Sequence, residues 1–128
     1  MYKRQILKHV IFSQEIHNKH GGVVPELASR SHLEILQKIM SELVFKDNNY
    51  LQDIDAFAAT CGPGLVGSLL VGSSFTKSLA LGFKKPFYPI NHLEGHILST
   101  SFNNKINYPH LVLLLTGGHT QYLSLIHI

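Results

Sequence analysis

Short apolar runs alternate with helical stretches along this chain, and that alternation restricts the folds open to it. Leu33, Leu36, Met40 and Leu43, with Ile39 and Val44 beside them, recur at the spacing of one helical face. Pro25 suits the first turn of that helix, where its missing N–H costs nothing. The spacing predicts one amphipathic helix from Pro25 to about Lys46, ended by Asp47-Asn48-Asn49. Its stripe is core or a partner-helix face. Ile54 to Thr60 reads as a buried strand, and Gly62-Pro63-Gly64 as a tight turn. Leu65 to about Gly82 reads as a second helix, where Gly67 and Gly72 permit close approach to a sheet or another helix. Each interior Gly costs roughly 1 kcal/mol against Ala, so close packing has to offset it. Phe87 to Ile90 is a short strand, His92 to about Phe102 a helix, and Asn103 to Pro109 a loop. His110 to Thr116 reads as a fully buried strand, and Gln121-Tyr122 starts a return strand. Ile6 to Ser13, rich in Ile, Leu, Val and Phe, reads as a further strand. This order predicts an α/β fold with helices against a mixed sheet.

A chain of 128 residues is enough for one small domain with one core. Hydrophobic residues at 45% and charged residues at 15% exclude a disordered composition. The apolar runs are shorter than the roughly 20 residues of a membrane span, and no apolar stretch of signal-peptide type opens the chain. The single cysteine, Cys61, excludes an internal disulfide framework and suits a reducing, cytoplasmic compartment. It reads as a small buried residue at a strand end.

The two ends read as foreign. Met1-Tyr2-Lys3-Arg4-Gln5 can be encoded by GTG TAT AAG AGA CAG. Leu123-Ser124-Leu125-Ile126-His127 can be encoded by its reverse complement, CTG TCT CTT ATA CAC. One DNA sequence in two orientations therefore accounts for both, and it resembles the transposase end that flanks sequencing-library fragments. The expectation is a native segment of residues 6–122, with 1–5 and 123–128 as non-native ends left out of the fold reasoning. Without Lys3 and Arg4 the formal charge falls from +3 to +1, which is weak support for nucleic-acid binding by charge alone.

Two stretches carry chemistry. In His92-Leu93-Glu94-Gly95-His96 the histidines are four apart, so a helix stacks them on one face. Two imidazoles so placed can share one transition metal, with at least one more ligand from elsewhere. The plain alternative is a shared face by chance, in a chain holding nine histidines. His17 and His20 lie in a polar stretch and read as solvent-exposed. In Thr116-Gly117-Gly118-His119-Thr120, two glycines after a buried strand let the backbone approach a ligand closely. A hairpin turn explains the same glycines equally well. Gly62-Pro63-Gly64 is not a phosphate loop, because Gly-Lys-Ser/Thr does not follow it.

These motifs together are more specific than any one of them. Gly21-Gly22-Val23-Val24-Pro25-Glu26-Leu27-Ala28-Ser29-Arg30, Gly62-Pro63-Gly64-Leu65-Val66-Gly67, His92-Leu93-Glu94-Gly95-His96 and Thr116-Gly117-Gly118-His119-Thr120 occur in order at fitting spacing. The chain resembles the bacterial-type TsaD (Gcp) family of tRNA N6-adenosine threonylcarbamoyltransferases over residues 6–122. The resemblance implies an ASKHA fold, that of actin-like ATPases, hexokinase and Hsp70, with this chain an incomplete first lobe. It implies transfer of a threonylcarbamoyl group from threonylcarbamoyl-adenylate to N6 of adenosine 37, in tRNAs reading codons that start with A. It further implies that His92 and His96 bind one divalent metal ion, iron rather than zinc. Leu114, Leu115, Thr116, Gly117 and Gly118 would bind substrate. TsaB-like and TsaE-like subunits would be partners, with no membrane. No catalytic acid or base is singled out.

The family's opening strand and phosphate-facing loop are absent before Ile6, and its third metal ligand, an aspartate, would lie beyond Tyr122. The isolated segment is therefore expected to be inactive. Two rival classes fit less well. A zinc peptidase needs His-Glu-x-x-His, whereas Glu94 stands two places after His92. A non-enzymatic TsaB-like scaffold lacks the paired histidines.

Overall fold

A parallel βαβ unit occupies the middle of the chain in the computed structural model, which describes residues 6–12, 24–44, 51–102, 107, 109–115 and 120–125. Its first strand, β1, is Phe57–Gly62. The crossover helix is Val66–Gly82 and the second strand, β2, is Phe87–Asn91. The strands pair in parallel, from Phe57 opposite Phe87 to Gly62 opposite Asn91, with one irregularity between Thr60 and Gly62. Parallel strands need such a crossover, because a tight turn cannot return the chain to the same end. An earlier helix, α1 (Pro25–Val44), packs on the crossover helix, α2. Directly after β2 comes α3 (His92–Ser99), extended by a 3₁₀ turn over Thr100–Phe102. The last two strands, β3 (His110–Leu115) and β4 (Thr120–Leu125), form an antiparallel hairpin.

The core is small. Among the described residues, Ala28 of α1, Phe57 of β1, Ala80 of α2 and Ile97 of α3 are the buried apolar ones. Burial of a side chain such as Phe57 stabilises by about 1.5–3 kcal/mol. Its ring also meets Phe83 at a centroid separation of 6.1 Å, within the range of favourable ring pairs. Where α1 crosses α2, a Cβ added at Gly67 would lie 2.4 Å from Ser29 Oγ and 3.4 Å from Ser29 Cβ. The two helices meet closely there because one of them has no side chain. Gly72 differs from expectation: a Cβ there would meet nothing within 4 Å.

Other expectations also need correction. Ile6–Phe12 forms no strand, and Ile6, Leu7, Ile11 and Phe12 are exposed. Apolar content alone does not make a strand without a partner ladder, and the ammonium of Lys8 instead donates to the Glu42 carbonyl of α1. Strand β1 starts at Phe57, later than Ile54, and only Phe57 in it is buried; Cys61 is exposed. The described strands form two separate two-stranded sheets, one parallel and one antiparallel, in place of one mixed sheet. For the same reason β3 is not fully buried. Leu111, Leu113 and Leu115 are exposed while Val112 and Leu114 between them are half-buried, the alternation of a sheet covered on one face. No helix among the described residues is long and apolar enough to cross a membrane.

Candidate functional site

Parallel pairing decides where the chemistry sits. Gly62 lies opposite Asn91, so the turn after β1 and the start of α3 leave the sheet at one end. That is the carboxyl end of both strands, where open α/β sheets bind their ligands. Gly62 and Gly64 both have φ of 155°, a backbone conformation that favours glycine. A Cβ at Gly64 would make an ordinary contact of 3.5 Å with Leu69 Cδ1, so conformation and not space requires glycine there.

No loop separates β2 from α3. Asn91 ends the strand and caps the helix: its Oδ1 accepts from Leu93 N–H at 2.9 Å and Glu94 N–H at 3.4 Å. Such a cap satisfies donors that the first helical turn leaves unpaired. It places His92 at the first helical position, directly after the strand. The sequence signal for this cap was present, an Asn directly before a helix start, and the reading from sequence missed it.

One turn apart on α3, His92 and His96 bring their Nε2 atoms to 3.2 Å. The rings are nearly perpendicular, at 80°, with centroids 4.6 Å apart. Both side chains are exposed. Two ligands 3.2 Å apart, each roughly 2.0–2.1 Å from a common ion, subtend about 100° at it. That angle lies between the octahedral and tetrahedral values, so the pair fits two positions of one coordination shell. Without a cation, one Nε2–H can donate to the other ring's lone pair. Among the described residues no group of three or more His, Cys, Asp or Glu could hold a metal ion. A complete shell therefore requires ligands from outside them. Glu94 is exposed on the first turn of α3.

Beside the pair lies an open cleft of about 390 Å³, with His32, Thr60, Pro63, Gly64, Ser68 and His92 on its walls. It draws on α1, the end of β1, the turn, the start of α2 and the start of α3. His32 was not singled out from sequence; it is a polar residue in the middle of an amphipathic helix, and only the helix crossing reveals which way it faces.

The second candidate stretch stands apart. Leu114 is half-buried and Leu115 exposed at the end of β3, where Leu115 pairs with Thr120. Thr116, Gly117 and Gly118 lie outside the described residues, as do His17, His20 and His119. Packing of α3 is chiefly on β1, β2 and the 3₁₀ turn, and that of β3 chiefly on β4. The described contacts do not bring Leu114 or Leu115 to the histidine pair.

A βαβ unit with paired imidazoles at the carboxyl end of its strands defines an α/β protein with two neighbouring histidines on its helix start. A sequence model of the family described as TsaD: tRNA N6-adenosine threonylcarbamoyltransferase matches residues 5–126, and the chain belongs to that family. A protein named tRNA N6-adenosine threonylcarbamoyltransferase from Pelagibacter ubique is 51% identical over 120 residues, covering 93% of this chain and 34% of the relative. Proteins of the same name from Rickettsia massiliae and Rickettsia prowazekii are 49% and 48% identical, covering 96% and 97% of this chain. The chain covers 36% and 32% of those two relatives, so it spans about a third of the length of the curated relatives it matches.

Proposed function

We propose that this chain is part of the first lobe of an ASKHA-type tRNA N6-adenosine threonylcarbamoyltransferase, and that His92 and His96 hold its metal ion. The observation that carries this is the 3.2 Å approach of the two Nε2 atoms at the carboxyl end of a parallel strand pair, in a chain of this family. Iron is favoured over zinc by the family resemblance alone. A bound divalent ion supplies Lewis-acid polarisation of oxygens on the acyl donor. In the transfer itself, N6 of adenosine 37 would form a bond to the carbamoyl carbon, the bond from that carbon to the phosphate oxygen would break, AMP would leave, and the proton lost by N6 would pass to solvent.

The residues of this chain would act by holding and orienting. The Nε2 atoms of His92 and His96 would be the ligand atoms, on a helix start fixed by the Asn91 cap. Pro63 and Gly64 form one wall of the adjoining cleft. Leu114, Leu115, Thr116, Gly117 and Gly118 would bind the acyl donor, with N–H groups of the glycines holding charged oxygens. TsaB-like and TsaE-like subunits would be partners in the cytoplasm, the first meeting this lobe through its helices, and further metal and substrate ligands would come from outside this segment. The test is the full-length gene product containing this segment, together with its TsaB-like and TsaE-like subunits, supplied with threonylcarbamoyl-adenylate and tRNA. Modified adenosine supports the reading; a metal-loaded, folded protein that forms none removes it.

A further inference from the structure

The two edges of the β1–β2 sheet are built differently. Phe57 of β1 stands opposite Phe87 and donates its N–H to the Pro86 carbonyl at 3.0 Å. In a parallel ladder, successive residues of a strand turn their backbone groups to opposite sides. Phe57 and Ala59 therefore address β2, and Ala58 and Thr60 address the other edge of β1. On β2 the same register turns Tyr88 and Ile90 toward β1, and Phe87 and Pro89 outward. Pro89 has no N–H to offer on that side, the position in which a sheet tolerates proline. Lys84 and Lys85 lie just before this strand, charges that discourage a further strand from joining. Strand β1, Phe57-Ala58-Ala59-Thr60-Cys61-Gly62, contains neither proline nor charge. Among the described residues no strand pairs with its outer edge.

The helix layer reaches past that edge. Helix α2 packs chiefly on β1, and α1 packs chiefly on α2. His32 of α1 shares a cleft wall with Ala59 and Thr60, and no β2 residue joins them among the described residues. Helix α1 therefore lies on the β1 side of α2. Ile35, Leu36, Ile39 and Met40 of its apolar stripe are only half-buried. An apolar helix face is stable when another layer covers it, and a two-stranded sheet alone is marginal. Ile6–Phe12 does not supply the layer, because it forms no strand and Lys8 holds it to the Glu42 carbonyl near the end of α1. The chain spans about a third of the length of its relatives, so most of the full-length protein lies outside it.

We propose that in the full-length protein a further strand, contributed by residues outside this 128-residue segment, pairs with β1 through Ala58 and Thr60 and lies beneath α1. Strand β1 is then interior to the sheet, and β2 is its edge. The added strand reaches the Gly62–Gly64 turn on the side away from α3. The inference rests on the register and the helix layer, and stands independently of the transferase reading.

Two adjacent alanines give the test its internal control. The Ala59 amide faces β2 and the Ala58 amide faces outward. Hydrogen exchange at single-residue resolution is measured on the full-length gene product, with rates corrected for local sequence. The expected result is an Ala58 amide that exchanges within about tenfold of the Ala59 rate, as a ladder-bonded amide does. The Phe87 amide, on the outer side of β2, should exchange more than about tenfold faster than Ala59. An Ala58 amide more than about tenfold faster than Ala59 overturns the proposal. A slow Phe87 amide overturns the assignment of β2 as the edge. The measurement is repeated after dilution of the protein. Protection of Ala58 that is lost on dilution assigns the strand to a second copy of the protein, and overturns the proposal that the same chain supplies it.

Discussion

The Nε2 atoms of His92 and His96 stand 3.2 Å apart across one turn of α3. A helix stacks residues four apart, but stacking alone does not aim both rings at one point. Asn91, which closes β2 and caps α3 in a single residue, fixes where that helix starts. Replacing Asn91 by Ala should destabilise the full-length protein by about 1 kcal/mol and lower its metal affinity. Asn91→Asp should keep both, because its carboxylate can cap and favours the helix N-terminus. Chemical denaturation with metal titration checks this; unchanged metal affinity in Asn91→Ala would show that the cap does not hold the pair.

Gly67 and Gly72 should respond in opposite directions. A methyl at Gly67 meets Ser29 Oγ, which donates to the Pro25 carbonyl at 2.9 Å. Gly67→Ala should therefore destabilise by about 1–3 kcal/mol, and Ser29→Ala in the same protein should recover most of it. Gly72→Ala meets open space and should be neutral or stabilise by up to about 1 kcal/mol. Urea midpoints of these three variants against wild type test both claims. Equal loss at both glycines would contradict the crossing at Gly67.

The chain taken alone should behave poorly in solution. Leu111, Leu113, Leu115 and Tyr122 of the β3–β4 hairpin are exposed, as are Leu65, Val66 and Leu70 around the start of α2. Apolar surface of this extent promotes association. The 128-residue chain should elute as aggregate or melt without cooperativity, and should transfer no threonylcarbamoyl group. A monomeric peak with a sharp melt would refute the first expectation, and modified tRNA the second.

Much of this was legible in local sequence. The 3.6-residue stripe located α1, the Gly-Pro-Gly turn separated β1 from α2, and the His-x-x-x-His spacing located the helix face that carries both imidazoles. These signals lie within a few residues of one another. What escaped depends on distant partners. Ile6–Phe12 has strand composition but no ladder to join, and β3 has the apolar content of a buried strand while one of its faces stays open. His32 reads as an ordinary helical residue until Gly67 brings α1 onto α2.

The central claim is that His92 and His96 are ligands of one ion, and metal content tests it most directly. His92→Ala and His96→Ala, each in the full-length gene product purified without chelator, are compared with wild type by elemental analysis. Loss of one of few ligands should lower the metal-to-protein ratio more than about tenfold in each variant, since even changes behind a ligand cost about 10–100-fold in affinity. Melting temperatures of the metal-free proteins should stay alike, because both side chains are exposed. Wild-type metal content in both variants would contradict the claim and leave the pair as two stacked imidazoles on a helix face.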